Sequence, residues 1–149
     1  MIKSSIISLL FVILLTTYSF SAGSSSSSGD GGSTKSDYEK AVSYIEKAKK
    51  FEKKEKLKKA TKEYEKAQKL LIKSNEKKPN QANTLNYLGF TTRKLGDFKG
   101  GENYYLQGLA INPSHVGINE YLGELYVVTG RHNLAIERLE VLKSCNCKE

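Results

Sequence analysis

The sequence contains no tryptophan and only two cysteines, two histidines and two prolines in 149 residues. A zinc site of four Cys or His ligands would use every one of them, and both cysteines sit near the C-terminal end. There is no phosphate-cradling glycine loop, no His-Glu-x-x-His, and no cysteine with a histidine and an acid placed to activate it. Glu120 and Glu124 stand one helical turn apart, the spacing of ordinary solvated acidic pairs. Apolar residues make up 38 % of the chain even with an apolar leader included, which argues against a compact α/β enzyme with a buried sheet. The residues therefore predict no catalysis, no cofactor and no metal site.

Long hydrophobic runs are also scarce. The main one, Ile6 to Leu15, is broken only by Ser8 and is shorter than the roughly 20 residues of a membrane span. With Lys3 before it and small residues at Ser19, Ser21 and Gly23, residues 1–22 read as a signal peptide. The expected location is outside the cytoplasm, most readily a bacterial periplasm, with an uncleaved N-terminal anchor as the lesser reading. No cysteine near the cut offers a lipid attachment point. Residues 23–36 are mostly Ser and Gly, the composition of a disordered linker.

Arginine is missing from the stretch where positive charge is concentrated. The net charge of +8 falls almost wholly between Lys35 and Lys78, where lysine is the only basic residue, while the chain from Pro79 onward balances to neutral. The densest part comprises Lys47, Lys49, Lys50, Lys53, Lys54, Lys56, Lys58, Lys59 and Lys62. One reading is a solvated helix surface with i,i+4 pairs Glu46–Lys50, Glu52–Lys56, Glu55–Lys59 and Glu65–Lys69. The other is a docking surface for anionic lipid, envelope polymer or an acidic protein. Lysine without arginine lacks the bidentate fork of precise phosphate recognition, so no nucleic acid partner is expected.

A 34-residue offset organises the remainder. Leu88-Gly89 returns as Leu122-Gly123, Gly96 as Gly130, Asn86-Tyr87 as Glu120-Tyr121, and Pro79 as Pro113. Leu85, Leu88, Thr92 and Leu95 form one helix face. Gly96 is placed to end that helix and Asp97 to cap the next, whose inner face would carry Phe98, Gly101, Tyr105, Gly108 and Leu109. Leu122, Leu125, Tyr126, Ala135, Leu139 and Leu142 repeat the pattern, and Gly89 and Gly123 allow a close helix approach. Upstream, Ala60, Tyr64, Ala67, Leu71 and Ser74 form a stripe, with Tyr64 set 34 residues before Phe98. Tyr38, Ala41, Val42, Ile45, Ala48 and Phe51 form another, opened by a Ser36/Glu39 capping box. The turn between them falls near 52–58, with no Gly or Pro to mark it, and one long helix is the competing possibility.

This pattern resembles the tetratricopeptide repeat. The resemblance implies an all-α fold, TPR-type helical hairpins stacked in a short right-handed solenoid, over residues 37–149. The units would be a degenerate lysine-rich hairpin at 37–81 and repeats at 82–115 and 116–149. It further implies a protein-interaction module or adaptor that takes a peptide or protein on the concave face lined by the first helix of each repeat. By position that face carries Asn83, Asn86, Phe90, Arg93 and Lys94, then Gly117, Glu120, Glu124, Val127 and Val128. Asn86 with Arg93 or Lys94 would hold a backbone and a carboxylate, and the two glutamates favour a segment of mixed charge. Such arrays normally close with a solvating helix, and the chain is similar to small exported bacterial repeat proteins whose cysteine pair precedes one more short helix. A truncated fragment, or a partner covering the last hairpin, would follow from that. Cys145 and Cys147 are candidates for a bond to each other, for a bond to another chain or to further C-terminal sequence, or, as a third reading of function, for soft metal binding or a thiol-redox role. His115 falls at a repeat junction, and His132 falls in the slot of Phe98, where packing is expected.

Overall fold

In the computed structural model, residues 35–145 are described, and they form six helices with no strand among them. The expected signal peptide, the expected linker up to residue 34, and Cys147 lie outside the described residues. In chain order the helices are α1 (Asp37–Glu52), α2 (Leu57–Lys77), α3 (Ala82–Lys94), α4 (Phe98–Ile111), α5 (Val116–Val128) and α6 (His132–Ser144). Helix α1 pairs with α2, α3 with α4 and α5 with α6, and successive hairpins stack through α2 on α3 and α4 on α5.

The first hairpin starts where its capping box predicts. The Glu39 backbone N–H donates to Ser36 Oγ at 3.2 Å, and the Ser36 N–H donates to the Glu39 carboxylate at 2.7 Å. Helix α1 buries Ala41, Ile45 and Ala48, and α2 buries Ala60, Tyr64, Ala67 and Leu71. A hairpin, not one long helix, results because Glu55 takes a left-handed conformation (φ 55°) and closes the turn. Its N–H reaches Glu52 O at 2.8 Å, and Lys56 N–H reaches Phe51 O at 2.9 Å. This is the work glycine usually performs at a helix end, which is why no glycine signals it.

The register of this hairpin differs from the 34-residue expectation. Leu57 and Phe98 open α2 and α4, so Ala60, Tyr64 and Ala67 correspond to Gly101, Tyr105 and Gly108, not to positions seven residues earlier. Seven extra residues are close to two helical turns, so the insertion lengthens the hairpin without rotating its buried face. Both tyrosines are fully buried.

In the second and third hairpins, Gly96 (φ 97°) and Gly130 (φ 75°) end the first helices. Asp97 caps α4 by accepting from the Gly100 N–H at 2.8 Å. Gly89 is small for a visible reason: a Cβ there would lie 2.5 to 2.9 Å from three ring atoms of Tyr105. Gly123 is different, since its added Cβ would meet only Arg138 Cβ at an ordinary 3.5 Å. Three expected inner-face residues are exposed: Phe98 at 44 %, Leu139 at 47 %, and His132. Phe98 and His132 occupy the first positions of their helices, before the packed turn begins. Leu139 lies on α6, which among the described residues packs against α5 alone.

The i,i+4 pairs expected on the lysine-rich helices do not form. Glu46 pairs instead with Lys49 and Glu52 with Lys94, at 3.2 and 2.9 Å. Glu52 also accepts from the Tyr64 hydroxyl at 2.9 Å, so packing against the next hairpin draws it away from Lys56.

Candidate functional site

The first helices of the three hairpins lie side by side, α3 touching both α1 and α5. Their shared face carries a strip of aromatic rings. Tyr38 and Tyr87 have centroids 5.9 Å apart, and Phe90 lies 4.8 Å from Tyr121 and 5.8 Å, edge-on, from Tyr64. Phe90 is buried at 4 % exposure, so it serves as the floor of the strip and not as its outer surface.

Three cations surround that ring. Lys49 Nζ stands 5.2 Å from the Phe90 centroid, Lys94 Nζ 5.8 Å, and the Arg93 guanidinium carbon 5.8 Å from it and 6.0 Å from Tyr121. Each such contact contributes roughly 0.5–1 kcal/mol when exposed and more when dry. A carboxylate answers every cation: Glu46 for Lys49, Glu52 for Lys94, and Glu124 for Arg93 at 2.7 Å. Burial works against the charge of Lys49, but Tyr121 and the Glu46 carboxylate outweigh it and raise its pKa, so the ammonium stays charged at neutral pH. The result is a mixed-charge surface over an aromatic floor. It holds no nucleophile beside a base, and no group of three or more His, Cys, Asp or Glu suited to a metal occurs among the described residues.

The residues expected from the repeat pattern are only partly brought together. Arg93, Lys94, Phe90 and Glu124 meet as described. Asn86 is buried at 7 %, and the missing Cβ of Gly117 makes room for it, since that atom would sit 2.8 Å from Asn86 Nδ2. Asn83 turns to the repeat junction and pairs with His115 at 2.8 Å. Glu120 is exposed and lines a trough between α5 and α6 with Val127, Ile136, Leu139 and Leu142, a space of about 360 Å³ at the open end of the stack. Lys49, Tyr121 and Glu46 belong to the strip; Tyr121 and Glu46 were not expected there, and Lys49 was expected only in the lysine patch. The 34-residue return of Tyr87 as Tyr121 was the available signal for one of them. Lys49 has none, because its neighbours come from other hairpins.

His115 has a defined structural task. Its Nδ1 accepts from the Ile118 N–H at 3.2 Å and caps α5, leaving the Nε2 proton for Asn83 Oδ1. Burial lowers its pKa below the ordinary 6.5, so the folded chain binds fewer protons than the unfolded one in that range. The stabilisation is complete above pH 6.5 and is lost as pH falls through the lowered folded value. Protonated Nδ1 cannot accept the capping bond. Thermal melts should show a lower midpoint at pH 5.5 than at 7.5, with that step reduced in His115→Asn, which keeps a good cap without a titrating ring. An equal step in both proteins would remove His115 as its source.

Among the described residues no helix is long and apolar enough to cross a membrane. No described cysteine is free, Cys145 being disulfide-bonded.

No protein-family model and no curated protein matches the chain. Solved structures do. A MamA mutant superposes with a TM-score of 0.52 at 23 % identity, covering 68 % of this chain and 48 % of its own, so the chain spans about half of that protein. MamA AMB-1 matches at 0.50 and 17 % identity, covering 71 % and 73 %. The second TPR of Spaghetti (RPAP3), solved bound to the HSP90 peptide SRMEEVD, matches at 0.50 and 16 % identity, covering 70 % and 90 %. The stacked hairpins, the buried small-aromatic-small register shared by α2 and α4, and these superpositions establish the fold as that of the tetratricopeptide repeat proteins.

Proposed function

We propose that this chain is an exported protein-interaction module that holds a peptide or protein segment of mixed charge on the face of α1, α3 and α5, without catalysis. The observation that carries the reading is the strip of Lys49, Phe90, Tyr121 and Lys94 with its interleaved carboxylates. Glu46 and Glu124 are about half exposed, and the side chains of Lys49 and Lys94 keep roughly a third of their surface in water. An incoming carboxylate can therefore reach the ammonium groups while an incoming cation reaches the glutamates, and aromatic floors reward apolar contact between them. A tetratricopeptide neighbour bound to an acidic peptide supports the same mode. The signal-like leader supports export.

Site-specific photo-crosslinking in intact cells tests the assignment of the face. A crosslinker at Tyr121 should capture a discrete partner, and one at exposed Gln107 on α4 should not. Capture of the same partner with equal yield from Gln107 would contradict it.

A further inference from the structure

Among the described residues, the tip of the first hairpin brings together an exposed large apolar side chain and a run of lysines without ion pairs. Leu57, the first residue of α2, is 64 % exposed. Around it in sequence stand Lys53, Lys54, Lys56, Lys58 and Lys59, all exposed, and none has a carboxylate within ion-pair distance among the described residues. Elsewhere on this hairpin Lys47 and Lys66 share Glu63, Lys73 and Lys77 share Asp37, and Lys49 meets Glu46, while Lys40, Lys50, Lys62 and Lys69, also without an ion pair, are spread along α1 and α2. Of the two acids near the tip, Glu52 is committed to Lys94 and Tyr64, leaving Glu55 as the one exposed carboxylate on the link.

The placement of Leu57 discriminates between anionic partners. A soluble polyanion neutralises the lysines but leaves the leucine in water. The surface of an anionic bilayer accepts both, with ammonium groups at the headgroups, their aliphatic stems along the interface, and the leucine at the acyl boundary. Lysine without arginine suits such diffuse charge, where no single phosphate needs a bidentate fork. We propose that the α1–α2 tip docks on anionic lipid and seats Leu57 in the bilayer interface, leaving the aromatic strip of the first helices open to its partner.

The lack of any native tryptophan makes the test direct. In the full chain, Leu57→Trp gives a single emitter at the tip, and Ile111→Trp places one at the far end of α4. On phosphatidylglycerol vesicles the residue-57 emission should shift to shorter wavelength and be quenched by brominated acyl chains. It should do neither with phosphatidylcholine vesicles or heparin, and residue 111 should stay unchanged throughout. The Leu57→Ser chain should partition onto the anionic vesicles roughly tenfold more weakly, and Lys53→Gln/Lys54→Gln/Lys58→Gln roughly a hundredfold. No shift at residue 57, the same shift with heparin, or equal responses at 57 and 111 would each overturn the proposal. The apolar leader of the full chain does not confuse the result, because the readout is local to the tip.

Discussion

Truncating Tyr105 to alanine should destabilise the fold by about 3–5 kcal/mol, the range for deleting a large aromatic side chain from a packed core. The ring is fully buried, sits against Gly89 of α3, and packs with Ile118, Leu122, Leu125 and Tyr126 of the following hairpin. Its loss opens a cavity where α3, α4 and α5 meet, and neither backbone can collapse into it without separating the repeats. Against a total stability of roughly 5–15 kcal/mol this is a large share, and urea unfolding should show it as a much lower midpoint. Tyr105→Phe should be nearly neutral. The hydroxyl is buried and makes no well-formed hydrogen bond, with the Arg93 guanidinium only loosely placed beside it, so removing it costs little. If both variants lost the same stability, the hydroxyl and not the ring would be what matters.

The second large effect comes from the other side of that contact. Gly89→Ala should destabilise by about 1–3 kcal/mol, because the new methyl overlaps a fully buried ring with no free space to move into. Gly123→Ala, at the equivalent repeat position, should stabilise by about 0.5–1 kcal/mol, since alanine is the better helix former and its Cβ meets only Arg138 at 3.5 Å. Opposite signs at two positions that look identical in sequence form a sharp test. Matched effects of either sign would mean that the Tyr105 contact does not set the α3–α4 approach.

The reason for that divergence also explains what was legible. The period was readable because glycine at the end of α3 and α5, aspartate at the α4 cap and the spacing of buried leucines are local requirements that each repeat must meet again. Register in the first hairpin was not, because Glu55 performs the turn that glycine performs elsewhere and an insertion near two turns leaves the hydrophobic stripe in phase. Exposure at Phe98, His132 and Leu139 depends on what lies beyond each helix, which periodicity does not encode. Surface ion pairing was misread for a similar reason: an i,i+4 carboxylate such as Glu52 takes a partner from the next hairpin once the hairpins stack. The candidate site was half visible. Arg93, Lys94, Phe90 and Glu124 follow from repeat position, whereas Lys49 joins them only through the packing of α1 beside α3.

On the proposed reading, the strip and the tip use positive charge for two different tasks. Paired cations over aromatic rings present a locally neutral, shaped surface suited to a specific segment. Unpaired lysines at the hairpin end present a field that salt screens over about 10 Å at 0.1 M. Binding at the strip should change little with ionic strength, and binding at the tip should weaken steeply.

The most direct measurement of the central claim is the affinity of the crosslinked partner, once purified, for the wild-type chain and for Lys49→Glu/Lys94→Glu, with Leu57→Ser as the control. Reversing both exposed ammonium groups should weaken binding at least roughly tenfold, as expected when charge pairs at an interface become repulsive, with the fold intact by melting and Leu57→Ser at wild-type affinity. Unchanged affinity in the charge-reversed chain would contradict the assignment of the α1–α3–α5 face as the binding surface.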